Sequence, residues 1–216
     1  MTKQKEKAKL VALPVYSFQT SQEAWEFLNE HLFLTEQFAV SGGAKYVYDM
    51  FINIKDPVVD PKFNFARMFN YHDAKWVMLQ NNYLDTGELT KLKTDLAKRD
   101  MKASSHWTHT LRFHNKKENG KECLISLTIS KRQGELEPVL IMHTRAIEVT
   151  KRFLLDLLLV QRIAEYIIPK VKYNLTIYCP MVYQDADTFT MYHSHRDLFK
   201  LLKGKGAQTT WQSRDR

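Results

Sequence analysis

Two cysteines, seven glycines and six prolines in 216 residues leave little room for several classes of protein. Two thiols cannot build a disulfide framework, so the chain is expected in a reducing, cytoplasmic setting. With few Gly and Pro, no repeat and no Pro/Gly/Ser linker, collagen-like and low-complexity chains are excluded and one domain is predicted. No glycine-rich phosphate loop is present, so P-loop and dinucleotide folds are unsupported. Long apolar runs are missing too. The most apolar stretch, residues 153–160, is broken by Asp156 and bounded by Arg152 and Arg162. A membrane span needs roughly 20 apolar residues, so none is expected. Residues 10–14 are also too short for the apolar region of a signal peptide.

The body of the chain lacks a charge excess. The net charge is +8, but residues 1–10 carry four Lys and one Glu, and residues 196–216 carry six Lys/Arg and two Asp. What remains is nearly neutral. Residues 1–15 and 204–216 therefore read as basic tails, either solvated or weakly attractive to nucleic acid or a replication complex.

Hydrophobic and turn patterns place the elements. Thr20-Ser-Gln-Glu23 is a capping box, and Trp25, Phe27, Leu28, Leu32 and Phe33 follow at helical spacing, predicting a helix over 21–38. Ser41-Gly-Gly43 breaks the chain before a strand over 45–54, and Asp56-Pro57 and Asp60-Pro61 mark a loop. Helical patterns recur over 71–80 and 88–98. Strands are predicted over 107–113, 123–131 and 139–145, with turns at 115–120 and 133–134. A long apolar helix over 148–168, a strand over 175–181 and a last helix over 189–202 complete an α+β pattern.

Few residues carry obvious chemistry. Cys123 opens a strand after a turn holding Lys116, Lys117 and Lys121, so cations are expected to favour its thiolate, whereas Cys179 lies in an apolar strand. Cys123 as an inert strand cysteine is the plainer reading. Asp156 sits among leucines on an apolar helix, either functional or paired with Arg152 four residues earlier. His106/His109 and His193/His195 lack metal-ligand spacing and accompanying cysteines, so no metal is expected.

Taken together these positions resemble the thymidylate synthase superfamily, most closely its deoxycytidylate hydroxymethylase branch. Gly134-Glu-Leu136 begins eleven residues after Cys123, as the hairpin does after that family's nucleophile. Arg145-Ala-Ile-Glu148 resembles its Arg-Ser-x-Asp motif, Asp156 stands at the base-reading position eleven residues beyond Arg145, and Tyr192-His-Ser-His195 resembles its Tyr-x-x-His. Upstream, Asp73-Ala-Lys-Trp76 is similar to the Glu-x-x-Trp helix. The chain departs from the pattern at Glu122, Leu154-Leu155, Ala146 and Thr190, and the Gln-Phe after the cysteine is absent.

The resemblance implies a twisted mixed sheet with long helices on one face, stacked back to back in a homodimer. It implies Cys123 as nucleophile at pyrimidine C6, Arg145 and the partner-reaching Lys98-Arg99 on the 5′-phosphate, Tyr192 on the sugar, and Asp73 managing protons. Glu148 and Trp76 would contact 5,10-methylenetetrahydrofolate, the one-carbon donor. Asp156 would read cytosine, because an ionised carboxylate only accepts hydrogen bonds and so suits the amino group and a protonated N3. The expected activity is hydroxymethylation of dCMP. Alternatives are a dUMP methylase or hydroxymethylase, and a non-catalytic relative that binds nucleic acid or a replication partner.

Overall fold

A computed structural model describes residues 15–30, 39–41, 43–59, 87–113, 123–150 and 152–186. The predicted helices over 71–80 and 189–202, the turn at 115–120, Asp73, Trp76, Tyr192 and both tails up to residue 14 and from 204 lie outside these residues. Among the described residues no helix is long and apolar enough to cross a membrane.

The architecture is mixed α+β. β1 (Val15–Thr20) leads directly into α1 (Ser21–Glu30), and β2 (Ala39–Ser41) turns into β3 (Ala44–Asp56). Then come α2 (Gly87–Ala97), β4 (Trp107–Arg112), β5 (Leu124–Lys131), β6 (Val139–Thr144), β7 (Ile147–Glu148), α3 (Phe153–Ile167) and β8 (Asn174–Asp185). All strands join one sheet of order β1-β3-β8-β6-β5-β4, with β2 on β3 and β7 on β8. Two neighbour pairs on the main path, β1 with β3 and β6 with β8, are parallel, and the other three are antiparallel.

Local chemistry explains where elements begin. The Thr20 hydroxyl accepts from the Glu23 N–H at 3.2 Å, while the Glu23 carboxylate accepts from the N–H groups of Thr20 and Gln19, which closes the predicted capping box. Gly43 takes φ +79° in the β2–β3 turn, a backbone that side chains disfavour. Gly134 does the same at φ +87° in the predicted β5–β6 turn, and its N–H donates to the Ala103 carbonyl. The helix expected from residue 148 starts instead at Phe153. Glu148 belongs to β7, because its backbone pairs with Tyr183 of β8 before the chain turns into the helix.

One face of the sheet and all three helices share a single core. Ile52, Ile54, Leu127, Ile129, Leu140, Met142, Leu175 and Ile177 meet Trp25, Leu28, Leu89, Leu92, Phe153, Leu157, Val160 and Ile163. Each fully buried large side chain contributes about 1.5–3 kcal/mol. The opposite face is amphipathic. Thr108–Ser130, Thr110–Thr128 and Thr176–Asn53 are hydrogen-bonded across strands there, and the Tyr178 ring packs against Phe51 and His143.

Candidate active site

The N-terminal end of β5, the C-terminal end of β6, the start of α3 and the middle of β8 converge. The Arg145 N–H donates to the Cys123 carbonyl at 2.8 Å, so the strand ends carrying these two residues are tied together. Thr144 pairs with Leu124, next to Cys123, and His143 pairs with Tyr178, next to Cys179. Asp156 enters from the first turn of α3, where its N–H donates to the Arg152 carbonyl at 2.9 Å. Sequence reasoning singled out Cys123, Arg145 and Asp156, and the fold brings all three together. It adds Thr144, next to Arg145 in the chain, and Cys179, which the pairing of β6 with β8 brings in.

Burial dominates the electrostatics. Asp156 is partly buried as a residue, but its Oδ2 is closed to solvent and has no hydrogen-bond partner among the described residues. Desolvation raises its pKa to about 7, with Arg152 pulling down and Glu148 pushing up. A helix N-terminus normally favours an ionised acid, so here burial outweighs the dipole. Arg152, expected as its partner four residues earlier, acts on this carboxyl as an opposing charge, while one carboxyl oxygen is shut away from water.

The Cys123 thiol is also raised above its usual range, first by burial and then by Asp156, against the opposing charges of Arg145 and Arg152. The lysines expected to favour its thiolate, Lys116, Lys117 and Lys121, lie outside the described residues; within them two guanidinium groups act on the thiol, and burial with Asp156 outweighs them. Cys179 is held higher still, at about 11, chiefly by burial. Its thiol donates to the Met181 carbonyl at 3.1 Å. The Thr144 hydroxyl lies beside that sulfur and favours its thiolate, yet no hydrogen bond of good geometry closes between them.

Behind the cluster lies a buried polar network. The Thr150 hydroxyl donates to Asn29 Oδ1 at 2.7 Å, Gln184 Nε2 reaches both Asn29 and Thr150, and the Trp25 indole donates to the Thr150 carbonyl at 3.1 Å. Glu148 is 5% exposed, and its carboxylate accepts from the Thr150 N–H at 3.1 Å. A carboxylate engaged in this way holds the β7–α3 loop, and it is a poor fit to an outer folate contact. Polar residues among buried apolar ones, such as Asn29 and Thr150, were the sequence signal for this network.

Lys98 and Arg99 do not approach the cluster in this chain. They close the end of α2, and the next residue, Asp100, accepts from the Trp107 indole at 3.2 Å. Trp107 pairs with Lys131, the end of β5 opposite Cys123, roughly 25 Å away along the strand. No family model matches the chain, and no curated protein matches it in sequence.

Proposed function

We propose that the protein is a C5 hydroxymethyltransferase of pyrimidine nucleotides acting on dCMP, with dUMP methylation or hydroxymethylation as the alternative. The observation that carries this reading is the unpartnered, solvent-shielded Asp156 oxygen in the same cluster as the Cys123 thiol and Arg145. Cytosine offers an amino donor beside N3, and a carboxyl that titrates near 7 can accept from the one and exchange a proton with the other. Protonation at N3 withdraws electrons from C6, which assists attack there by sulfur. Cys123 adds at C6 as a thiolate, C5 becomes nucleophilic and is substituted, and loss of the C5 proton to solvent then expels the sulfur from C6. Arg145, exposed at the strand end beside Cys123, suits a phosphate as a bidentate donor.

The one-carbon donor implied by the resemblance is 5,10-methylenetetrahydrofolate. Its expected contact Glu148 is turned into the buried network and Trp76 lies outside the described residues, so no step is assigned to a folate site. The amphipathic open face of the sheet, with Phe51, Tyr178 and Ile141 among hydroxyl side chains, supports a homodimer joined through it. Two free thiols, Cys123 and Cys179, accord with a reducing cytoplasm.

One observation favours a second reading, a non-catalytic relative of this fold: burial and Asp156 hold the Cys123 thiol protonated. Solvent exchange of the C5 hydrogen of dCMP and dUMP decides between them, because it requires thiolate addition at C6. Exchange in the wild type that disappears in Cys123→Ser supports the enzyme. Absence of exchange with both nucleotides, with and without the one-carbon donor, overturns it.

A further inference from the structure

The end of the sheet remote from Cys123 holds a cavity of about 450 Å³. Lys55 and Asp56 of β3, Glu137 before β6, and Lys170, Lys172 and Tyr173 between α3 and β8 line it. Tyr173 lies six residues before Cys179 on the same chain path, roughly 20 Å from it in extended conformation. The cavity is therefore separate from the candidate active site.

Two features point to an anionic ligand. Among the described residues no carboxylate pairs with Lys55, Lys170 or Lys172, although all three face one space. Tyr173 is 7% exposed, and its hydroxyl is closed to solvent with no hydrogen-bond partner among the described residues. A buried hydroxyl without a partner is costly, and a ligand oxygen would satisfy it. Burial, with Glu165 and Asp56, raises the pKa of this phenol, so it stays a proton donor. Lys170 adopts φ +64° just after α3, where glycine is the usual residue.

We propose that this cavity binds a small phosphomonoester that also carries hydroxyl groups. The three ammonium groups and the Tyr173 hydroxyl serve the phosphate oxygens, and Asp56 and Glu137 accept from the ligand's hydroxyls. That division uses both signs of charge in the wall, which bare phosphate would not. The C-terminal dipole of α3 attracts Lys170 and Lys172 in any case, but it accounts neither for Lys55 on β3 nor for the unpartnered Tyr173 hydroxyl.

The test is calorimetric titration of glycerol 3-phosphate, and separately of inorganic phosphate, into the full chain carrying Arg145→Ala. That background removes the phosphate grip assigned to the other site, so failure here and failure of the proposed activity remain distinct. Expected is saturable one-to-one binding, tighter for glycerol 3-phosphate. Lys170→Gly combined with Lys172→Ala should weaken it at least tenfold, and Tyr173→Phe several-fold, with circular dichroism unchanged. Lys170→Gly suits the turn's backbone, so lost binding cannot be blamed on a broken loop. No saturable binding overturns the proposal. So does binding that these variants leave intact, including the case where they lower thermal stability alone.

Discussion

Arg145 and Cys123 are bound backbone to backbone, the N–H of one to the carbonyl of the other at 2.8 Å, while the Arg145 guanidinium favours the Cys123 thiolate. One residue thus fixes the position of the thiol and opposes the burial that keeps it protonated. Asp156 acts on the same sulfur with the opposite sign.

Thiol reactivity should follow that balance. Alkylation of native protein by iodoacetamide at pH 7.5 should be slower than that of a free cysteine thiol, with Cys123 reacting before Cys179. Asp156→Asn should speed the Cys123 reaction and Arg145→Ala should slow it, each roughly three- to tenfold, an effect of up to about one pKa unit. Mass spectrometry of the modified peptides measures both. An Asp156→Asn rate equal to the wild type would mean that the carboxylate is not felt at the sulfur.

Stability should fall with rising pH through the Asp156 titration. Its folded pKa of about 7 lies above the ordinary 3.8, so between those values the folded chain holds a proton that the unfolded chain has released. The neutral acid is buried at little cost below pH 4, and the cost of the charge is complete above pH 7. Asp156→Asn should therefore unfold at higher urea concentration than the wild type at pH 8, by a few kcal/mol at most. The difference should shrink toward pH 5.

Substrate choice tests the same residue chemically. Asp156→Asn replaces an acid that shares a proton with N3 by an amide that donates to uracil O4. The ratio of kcat/KM for dCMP over dUMP should drop at least about tenfold, as expected for a charge-assisted hydrogen bond worth roughly 1.5–3 kcal/mol. An unchanged ratio in a folded variant would remove Asp156 from base recognition.

Thr150→Val should destabilise by about 1–3 kcal/mol, because Asn29 and Gln184 would each lose a buried partner. Urea unfolding measures this. Since the Trp25 indole bonds the Thr150 carbonyl, which valine retains, its fluorescence should remain near native.

Sedimentation at micromolar concentration should show a dimer, and Tyr178→Glu on the open face should give a folded monomer. The packing of that ring against Phe51 and His143 is confined to this face. A wild-type monomer would count against the proposed assembly.

Much of the fold was legible because its strands alternate in sequence. Tyr46 to Ile52, Trp107 to Phe113 and Leu175 to Met181 each announce a strand, and Thr20 with Glu23 announces α1. β1 was missed although Tyr16 and Phe18 alternate with polar residues, because its partner β3 lies in parallel beyond a helix and no local turn marks it. Glu148 was misassigned to α3 since Ile147 and Val149 suit either a helix or a strand, and only pairing with Tyr183 decides. In the site, Cys123 and Asp156 stood out as a rare thiol and a misplaced acid. The place of Cys179 beside Thr144 depends on β6 lying beside β8, and no spacing in the sequence encodes that adjacency.

β8 is last in the chain among the described strands yet lies between the two halves of the sheet, with β1 and β3 on one side and β6, β5 and β4 on the other. During synthesis those halves share no strand-to-strand hydrogen bonds until residues 174–185 leave the ribosome. Until then both β3 and β6 present open edges, the condition under which strands pair with the wrong partner. A nascent chain halted before residue 174 is thus two half-sheets awaiting their seam, and its aggregation should cease once β8 is supplied.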